Sequence, residues 1–206
     1  MIVKDTGTGQ EFDPCPVGLH VAVCYGLVDV GTHVEEFQGQ KNDRRIVHVL
    51  FELPNQTIEI DGNTMPMGLN KKFTLSLHKK ANLRATLESW RGKNFTEMEL
   101  VEGFELKNII GANCQVNVIH NESNGKTYAN ISSIVPLSQG MNKMDQFNPT
   151  CYYSMDDQMD IPENTPQWLQ EKIYKSLEWQ NGPGMYPDDH GREEPQMPEE
   201  DEDIPF

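Results

Sequence analysis

The order of hydrophobic periodicities along residues 18–135 constrains the fold of this chain most strongly. From residue 18 to about residue 30, Leu19, Val21 and Val23 alternate with polar or small residues, which is typical of a strand with one buried face. Residues 46–53 repeat the alternation, with Arg44, His48 and Glu52 on the polar face, and residues 71–78 do so again. The sequence therefore predicts three consecutive strands, the second ending at Pro54. Between the second and third strands, residues 55–70 are predicted to form a loop with a short hairpin around Asp61-Gly62.

A helical periodicity follows the third strand. Leu83, Leu87 and Trp90 recur at the spacing of one helix face, and Gly92 provides a stop signal. Thr96 and Glu99 form a capping-box pattern that predicts a second short helix. We expect residues 79–110 to form a helical insertion that covers the core.

Two further strands are predicted over residues 114–120 and 126–134, joined by the hairpin dipeptide Asn124-Gly125. Three strands, a helical insertion and two strands is the chain order of an OB-fold, a five-stranded Greek-key barrel. The predicted fold class is mainly β, with an OB-fold barrel and a helical insertion between strands 3 and 4. An unrelated α+β sandwich is the alternative.

The charge of the chain is distributed unevenly. Residues 1–140 carry a net charge of −3, whereas residues 141–206 carry −12, so the acidity belongs mainly to the C-terminal part. The predicted organisation is an N-terminal arm (1–17), an OB-fold domain that binds single-stranded DNA (18–140), a linker (141–163), an amphipathic helix (164–180) and a disordered acidic tail with a partner-binding tip (181–206). Docking of the helix on the barrel is favoured over an external partner.

The sequence lacks the motifs that are typical of several functional classes. Cys15, Cys24, Cys114 and Cys151 are scattered without metal-ligand spacing, so neither a zinc site nor a disulfide framework is expected. No nucleotide-binding, metalloprotease or serine-hydrolase motif occurs, and we expect no catalytic residue, no metal and no cofactor. The chain has no signal peptide pattern and no apolar run near the ~20 residues that span a bilayer, which predicts a cytoplasmic protein without a membrane partner.

Spaced cations beside exposed aromatic side chains are what a general binder of single strands needs. Residues 71–93 contain seven Lys and Arg against one acid, Glu88, which is a local excess in an acidic protein. Tyr128 and Phe37 are the predicted stacking residues, whereas Phe73 shares the apolar face of its strand and is predicted to lie in the core. The candidate DNA-binding residues are Lys41, Arg44, Arg45, His48, Lys71, Lys72, Lys79, Lys80, Arg84, Lys126, Tyr128 and Phe37.

The chain ends in five consecutive carboxylates followed by an apolar tip. The carboxylates disfavour folding, and the tip suits a pocket on another protein with an apolar floor and a cationic rim. The predicted partner-binding residues are Asp203, Ile204, Pro205 and Phe206. This ending resembles the acidic tail of bacterial single-stranded DNA-binding proteins, which implies recruitment of replication and repair enzymes.

Residues 73–84, 87–93, 104–108 and 125–131 together resemble a family of phage and prophage single-stranded DNA-binding proteins with an OB-fold. The resemblance covers about residues 18–137. It implies sequence-tolerant protection of single-stranded DNA in phage DNA replication or recombination, in the host cytoplasm and without catalysis, with replication and recombination proteins as partners of the tip. Homo-oligomers are compatible with it. The alternative is a protein-interaction adaptor whose barrel binds no nucleic acid.

Overall fold

The computed structural model describes residues 13–37, 39–157 and 160–181, with only the backbone of Phe37. The tail tip, Asp203 to Phe206, and most of the predicted arm lie outside the described residues. Among the described residues, no helix combines the length and the apolar character that crossing a bilayer requires.

Six strands form one sheet. They are β1 (Gly18–Phe37), β2 (Gln40–Ile60), β3 (Asn63–Thr74), β4 (Asn113–Ser123), β5 (Lys126–Val135) and β6 (Cys151–Tyr153). The order is β3-β2-β1-β4-β5 with antiparallel neighbours, and β6 pairs parallel with β1. The mainly-β class is confirmed. Residues 18–23 of β1 pair with β4, and residues 23–37 pair with β2. This one long strand therefore connects the β2–β3 hairpin to the β4–β5 hairpin.

Tight turns join β2 to β3 and β4 to β5. Asp61 and Gly62 have φ of 51° and 79°, and Asn124 and Gly125 have φ of 52° and 73°. Positive φ at both central residues is the turn type whose twist matches a β-hairpin. The β2–β3 hairpin is longer than its periodicity predicted, because β2 continues beyond Pro54 after a register irregularity between Leu53 and Thr57.

Four α-helices occur in the described residues. They are α1 (Asn82–Arg91), α2 (Glu97–Glu102), α3 (Gln167–Tyr174) and α4 (Leu177–Asn181), and a short 3-10 helix spans Leu106–Ile109. In α1, Leu83, Leu87 and Trp90 are buried. The capping box of α2 is formed, because the Thr96 N–H donates to the Glu99 carboxylate at 2.9 Å and the Glu99 N–H donates to the Thr96 hydroxyl at 3.2 Å.

The sheet separates two apolar cores. On the inner face, Val47, Val49 and Phe51 of β2 pack with the apolar side of α1. On the outer face, Ile46 and Leu50 of the same strand pack in a second core. The remaining members of that core are Val28, Val30, Cys151, Tyr153, Met155, Leu169 and Ile173. Residues 46–53 are consequently buried on both faces.

The segment expected to be a linker, residues 141–163, differs from that expectation. The backbone N–H of Phe147 donates to the buried Glu52 carboxylate at 2.6 Å, and Asn113 exchanges two hydrogen bonds with the backbone of Met144, at 2.8 and 3.0 Å. Side chains of the sheet thus satisfy the backbone of this segment, which periodicity within the segment does not show. We call residues 141–157 the strap.

Polar contacts hold the C-terminal helices on β1. The Glu178 carboxylate accepts hydrogen bonds from the Thr32 backbone N–H at 2.7 Å and from the Thr32 hydroxyl at 2.5 Å. Gly31 has φ of +78°, and a Cβ atom there would lie 2.5 Å from the Cβ of Ser176. The single helix expected over 164–180 is thus two short helices, α3 and α4, lying against the outer face of β1.

Candidate nucleic-acid interface

The outer face of the β1–β2–β3 ribbon collects part of the predicted cation set. Arg44 lies opposite His33 in the β1–β2 ladder, and Lys72 lies opposite His48 in the β2–β3 ladder, so both project from the face that carries the second core. Arg44 and Lys72 are exposed. The Lys72 ammonium lies 2.6 Å from the carboxylate of Glu35 on β1.

Both cations act on the carboxylate of Glu35. Its hydrogen bond from Lys72, with the charges of Lys72 and Arg44, lowers the pKa of the Glu35 carboxyl below its usual value. The Lys72 side chain remains 50% exposed in this pair. An exposed ion pair of this kind contributes little to stability, so Lys72 can exchange Glu35 for another anion at small cost.

Lys71 points to the opposite side of β3 from Lys72. Its ammonium donates to the backbone carbonyl oxygens of Ile131 at 2.6 Å and Ser132 at 3.3 Å, which connects β3 to β5 at the two ends of the sheet order. Burial lowers the pKa of the Lys71 ammonium. A groove of about 490 Å³ between β3, α1 and β5 is lined by Lys71 together with Asn82, Thr86, Ser89 and Ser133.

Arg45 is held inside the fold. Its guanidinium bonds the carboxylate of Asp29, with Nε at 3.1 Å from Oδ2, and its Nη2 also donates to Asp156 of the strap at 2.7 Å. Asp29 is itself buried. Because Arg45 is bound by two carboxylates, its role in this structure is to fasten the strap to β1 and β2.

His48, predicted as a DNA-binding residue, is buried in this structure. The side chain is 3% exposed, its Nδ1 lies 3.0 Å from the Asn70 amide oxygen, and the ring packs edge to face with Trp168 at 5.1 Å. Burial lowers the pKa of His48 to about 4, so the ring is neutral near pH 7. Alternation placed His48 on the correct face, but α3 covers that part of the face.

The remaining candidates are dispersed. Arg84 is about one fifth exposed, bonded by Nε to Glu88 at 3.1 Å within α1. Lys41 lies near the β1–β2 turn, Lys126 begins β5, and Lys79 and Lys80 lie in the turn before α1, all exposed. These four lysines form no ion pair with any described residue.

The aromatic residues considered for base stacking differ in their exposure. Tyr128 is 49% exposed on β5, beside a shallow groove that Ile58, Met67 and Leu69 also line. Phe73 is buried, as its strand position predicted. The side chain of Phe37 lies outside the described residues, as do Asp203, Ile204, Pro205 and Phe206.

Two residues of α3 that the sequence did not select lie on the same outer face. Trp168 is 41% exposed, and the Lys172 ammonium lies 5.8 Å from the centroid of its ring. Burial, together with repulsion by Lys72, lowers the pKa of the Lys172 ammonium, which places the two lysines in each other's field. Their signal in the sequence is a Trp beside the apolar stripe of the helix with a Lys one turn later. We call Arg44, Lys72, Trp168 and Lys172 the outer cation face.

Comparison with known proteins gives no match to any family model and none to a curated protein.

Proposed function

We propose that this chain is a non-catalytic, sequence-tolerant single-stranded DNA-binding protein with an OB-fold domain, acting in phage DNA replication or recombination. The observation that carries the proposal is the outer cation face, where three cations, Arg44, Lys72 and Lys172, lie near Glu35. This local positive potential occurs in a chain of net charge −15. A polyanion site depends on local potential and not on the average charge.

The strand order supports the OB-fold part of the proposal. An OB-fold is a five-stranded, partly open Greek-key barrel with loops and a sheet face that bind oligonucleotides. Here β1 pairs with both β2 and β4, and Lys71 of β3 reaches the carbonyl oxygens of β5, so the two ends of the sheet order approach each other. The outer cation face is formed by residues of β2, β3 and α3.

In the proposed mechanism the protein binds the sugar-phosphate backbone through cations and the bases through aromatic contacts. Arg44 offers a planar guanidinium that can hold a phosphate through two hydrogen bonds, and Lys72 offers a point charge after it leaves Glu35. Neither contact reads a base, so affinity should depend on strandedness and salt and only weakly on sequence. Recruitment of replication and recombination proteins by Ile204, Pro205 and Phe206 belongs to the same proposal.

The test is fluorescence anisotropy of a labelled poly-dT of ~30 nucleotides and of a duplex of the same length, at several salt concentrations. We expect tight single-strand binding that weakens with salt, and weak duplex binding. The double variant Arg44→Glu/Lys72→Glu should lose most of the affinity. Lys143→Glu is a control for charge reversal at a single surface position, because Lys143 is exposed on the strap next to Met144, whose backbone bonds Asn113 of β4.

Absence of single-strand binding by the wild-type chain at low salt would reject the proposal and favour the adaptor. Equal affinity for single strand and duplex would also reject it. Wild-type affinity in the Arg44→Glu/Lys72→Glu variant, with binding otherwise intact, would move the site away from the outer cation face.

A further inference from the structure

The two C-terminal helices carry tryptophans of similar exposure in different surroundings. Trp168 of α3 is 41% exposed although its neighbour Leu169 is fully buried in the second core. The ring contacts His48 edge to face, with an interplanar angle of 82°. The helix is therefore fixed by its apolar side while part of a large aromatic ring stays open to solvent.

Two ammonium groups, those of Lys172 and Lys72, lie on the same outer face as Trp168. The Lys172 ammonium lies within 5.8 Å of the ring centroid, and Lys72 is close enough to Lys172 to disfavour its charged form. Glu35 pairs with Lys72 at 2.6 Å, which leaves the charge of Lys172 without an ion pair among the described residues. The repulsion between two like charges held near each other raises the free energy of the protein, and a bound anion reduces this repulsion.

Trp179 of α4 provides the contrast. It is 43% exposed and packs on Tyr174 with ring centroids 5.0 Å apart. The hollow beside Trp179 is lined by Asp160 and Glu163, whose carboxylates repel phosphate. Exposure alone does not make a binding site for a nucleic acid, and the surrounding charge distinguishes the two tryptophans.

We propose that Trp168 is a stacking platform for an unpaired base of single-stranded DNA and that Lys72 and Lys172 bind the phosphates beside that base. The inference rests on the proposed function and assigns separate roles to the aromatic and cationic residues of the outer cation face. An exposed indole can stack on any base, and flanking ammonium groups can bind the backbone on either side, which matches a binder that tolerates any sequence. The C-terminal segment is then part of the DNA interface and not only a cover of the second core.

The test compares two ligands of equal length and charge, a labelled poly-dT and a labelled oligonucleotide of abasic sites, with the full-length chain. Trp168→Ala should weaken poly-dT binding about tenfold or more, since one base-aromatic stack is lost, and should leave abasic binding unchanged. Trp179→Ala should bind both ligands as the wild type does. Trp168→Phe should recover part of the poly-dT affinity.

Lys172→Gln tests the phosphate contact separately. It should weaken both ligands and reduce the magnitude of the slope of log affinity against log salt by about 0.7, the value for one phosphate contact to a single strand. Thermal unfolding of each variant shows whether it is folded at the assay temperature, and Trp168→Leu replaces Trp168→Ala if the latter is not.

Three outcomes would overturn the inference. If a folded variant without an aromatic ring at position 168 binds poly-dT as the wild type does, the ring is not a platform, while the proposed function stands. If Trp168→Ala weakens both ligands equally, the role of Trp168 is structural. If the wild-type chain binds neither ligand, the proposed function itself has failed.

Discussion

Asn148 and Glu52, separated by 96 positions in the chain, are joined by two hydrogen bonds. The backbone N–H of Asn148 donates to the Glu52 carboxylate at 2.8 Å, and its side-chain amide donates to the same oxygen at 2.6 Å. Glu52 is fully buried, and its other oxygen accepts the Phe147 N–H at 2.6 Å. A buried carboxylate with three N–H donors fastens the strap to the centre of β2.

Glu52→Gln should destabilise the protein by about 2–4 kcal/mol, because a buried amide replaces one acceptor oxygen with a donor that faces another donor. Urea denaturation monitored by fluorescence measures the loss. Glu59→Gln is the matched control on the exposed end of the same strand and should change the stability by less than about 0.5 kcal/mol. Equal stabilities of the two variants would contradict the role of Glu52.

Gly26 permits the parallel pairing of β6 with β1. A Cβ atom at position 26 would lie 2.5 Å from the carbonyl oxygen of Cys151, its partner in the ladder. Gly26→Ala should therefore displace β6, destabilise the protein by more than about 2 kcal/mol and increase amide hydrogen exchange at residues 151–153.

Gly68→Ala is the control for Gly26→Ala, because a Cβ atom at position 68 would have 4.0 Å to its nearest neighbour, the carbonyl oxygen of Phe51. We expect it to be neutral or slightly stabilising, through a smaller entropy of the unfolded chain. If the amides of residues 151–153 stay protected from exchange in Gly26→Ala, the pairing of β6 with β1 does not require the close approach of Gly26 to Cys151.

Acidification should destabilise the protein through His48. Its pKa is lowered to about 4 by burial, against about 6.5 in an unfolded chain, so between these values only the unfolded state takes up the proton. The free energy of unfolding should be unaffected above pH 6.5 and fall by about 3 kcal/mol on reaching pH 4.

Comparison of the wild type with the His48→Gln variant isolates the contribution of His48 to the pH dependence of stability. Glu35 and Glu99, whose pKa values are lowered by hydrogen bonds from Lys72 and Thr96, also lose stabilisation in acid, but they do so equally in both proteins. The wild type should lose more stability than His48→Gln between pH 6.5 and pH 4 in urea denaturation. Parallel pH profiles would contradict the assignment to His48.

The adjacent residues Lys71 and Lys72 should have different mutant phenotypes. Lys71→Met removes hydrogen bonds to the carbonyl oxygens of Ile131 and Ser132 and should cost about 1–3 kcal/mol of stability. Lys72→Met should cost less than about 1 kcal/mol, because Lys72 and Glu35 form an exposed pair.

Binding should show the reverse order for the two lysines. Lys72→Met should weaken poly-dT binding and reduce the magnitude of the salt slope by about 0.7, whereas folded Lys71→Met should keep both near the wild-type values. Anisotropy titrations at several salt concentrations measure this difference. Equal binding losses in the two variants would place Lys71 in the interface.

Much of the sheet was predictable because its signals are local. Asn124-Gly125 and Asp61-Gly62 specify hairpin turns through their tolerance of positive φ, and alternation placed Val47, Val49 and Phe51 on one face and His48 on the other. The strand bounds were less accurate, since ladder pairing extends β2 to residues 40–45, which are all polar, and to residues beyond Pro54.

The sequence by itself determined the mainly-β class, the order of the elements from β1 to β5, the two turns and the apolar face of α1, because periods of 2 and 3.6 and turn residues act over a few positions. Only the tertiary structure decided what covers the outer face of β2. Ile46 and Leu50 indicate a second buried side, but their partners, Leu169 and Ile173, lie more than 100 positions away. The same long-range packing buries His48, binds Arg45 to Asp156 and places Trp168 and Lys172 beside Lys72. Contacts across such distances depend on how the whole chain folds and leave no local periodicity.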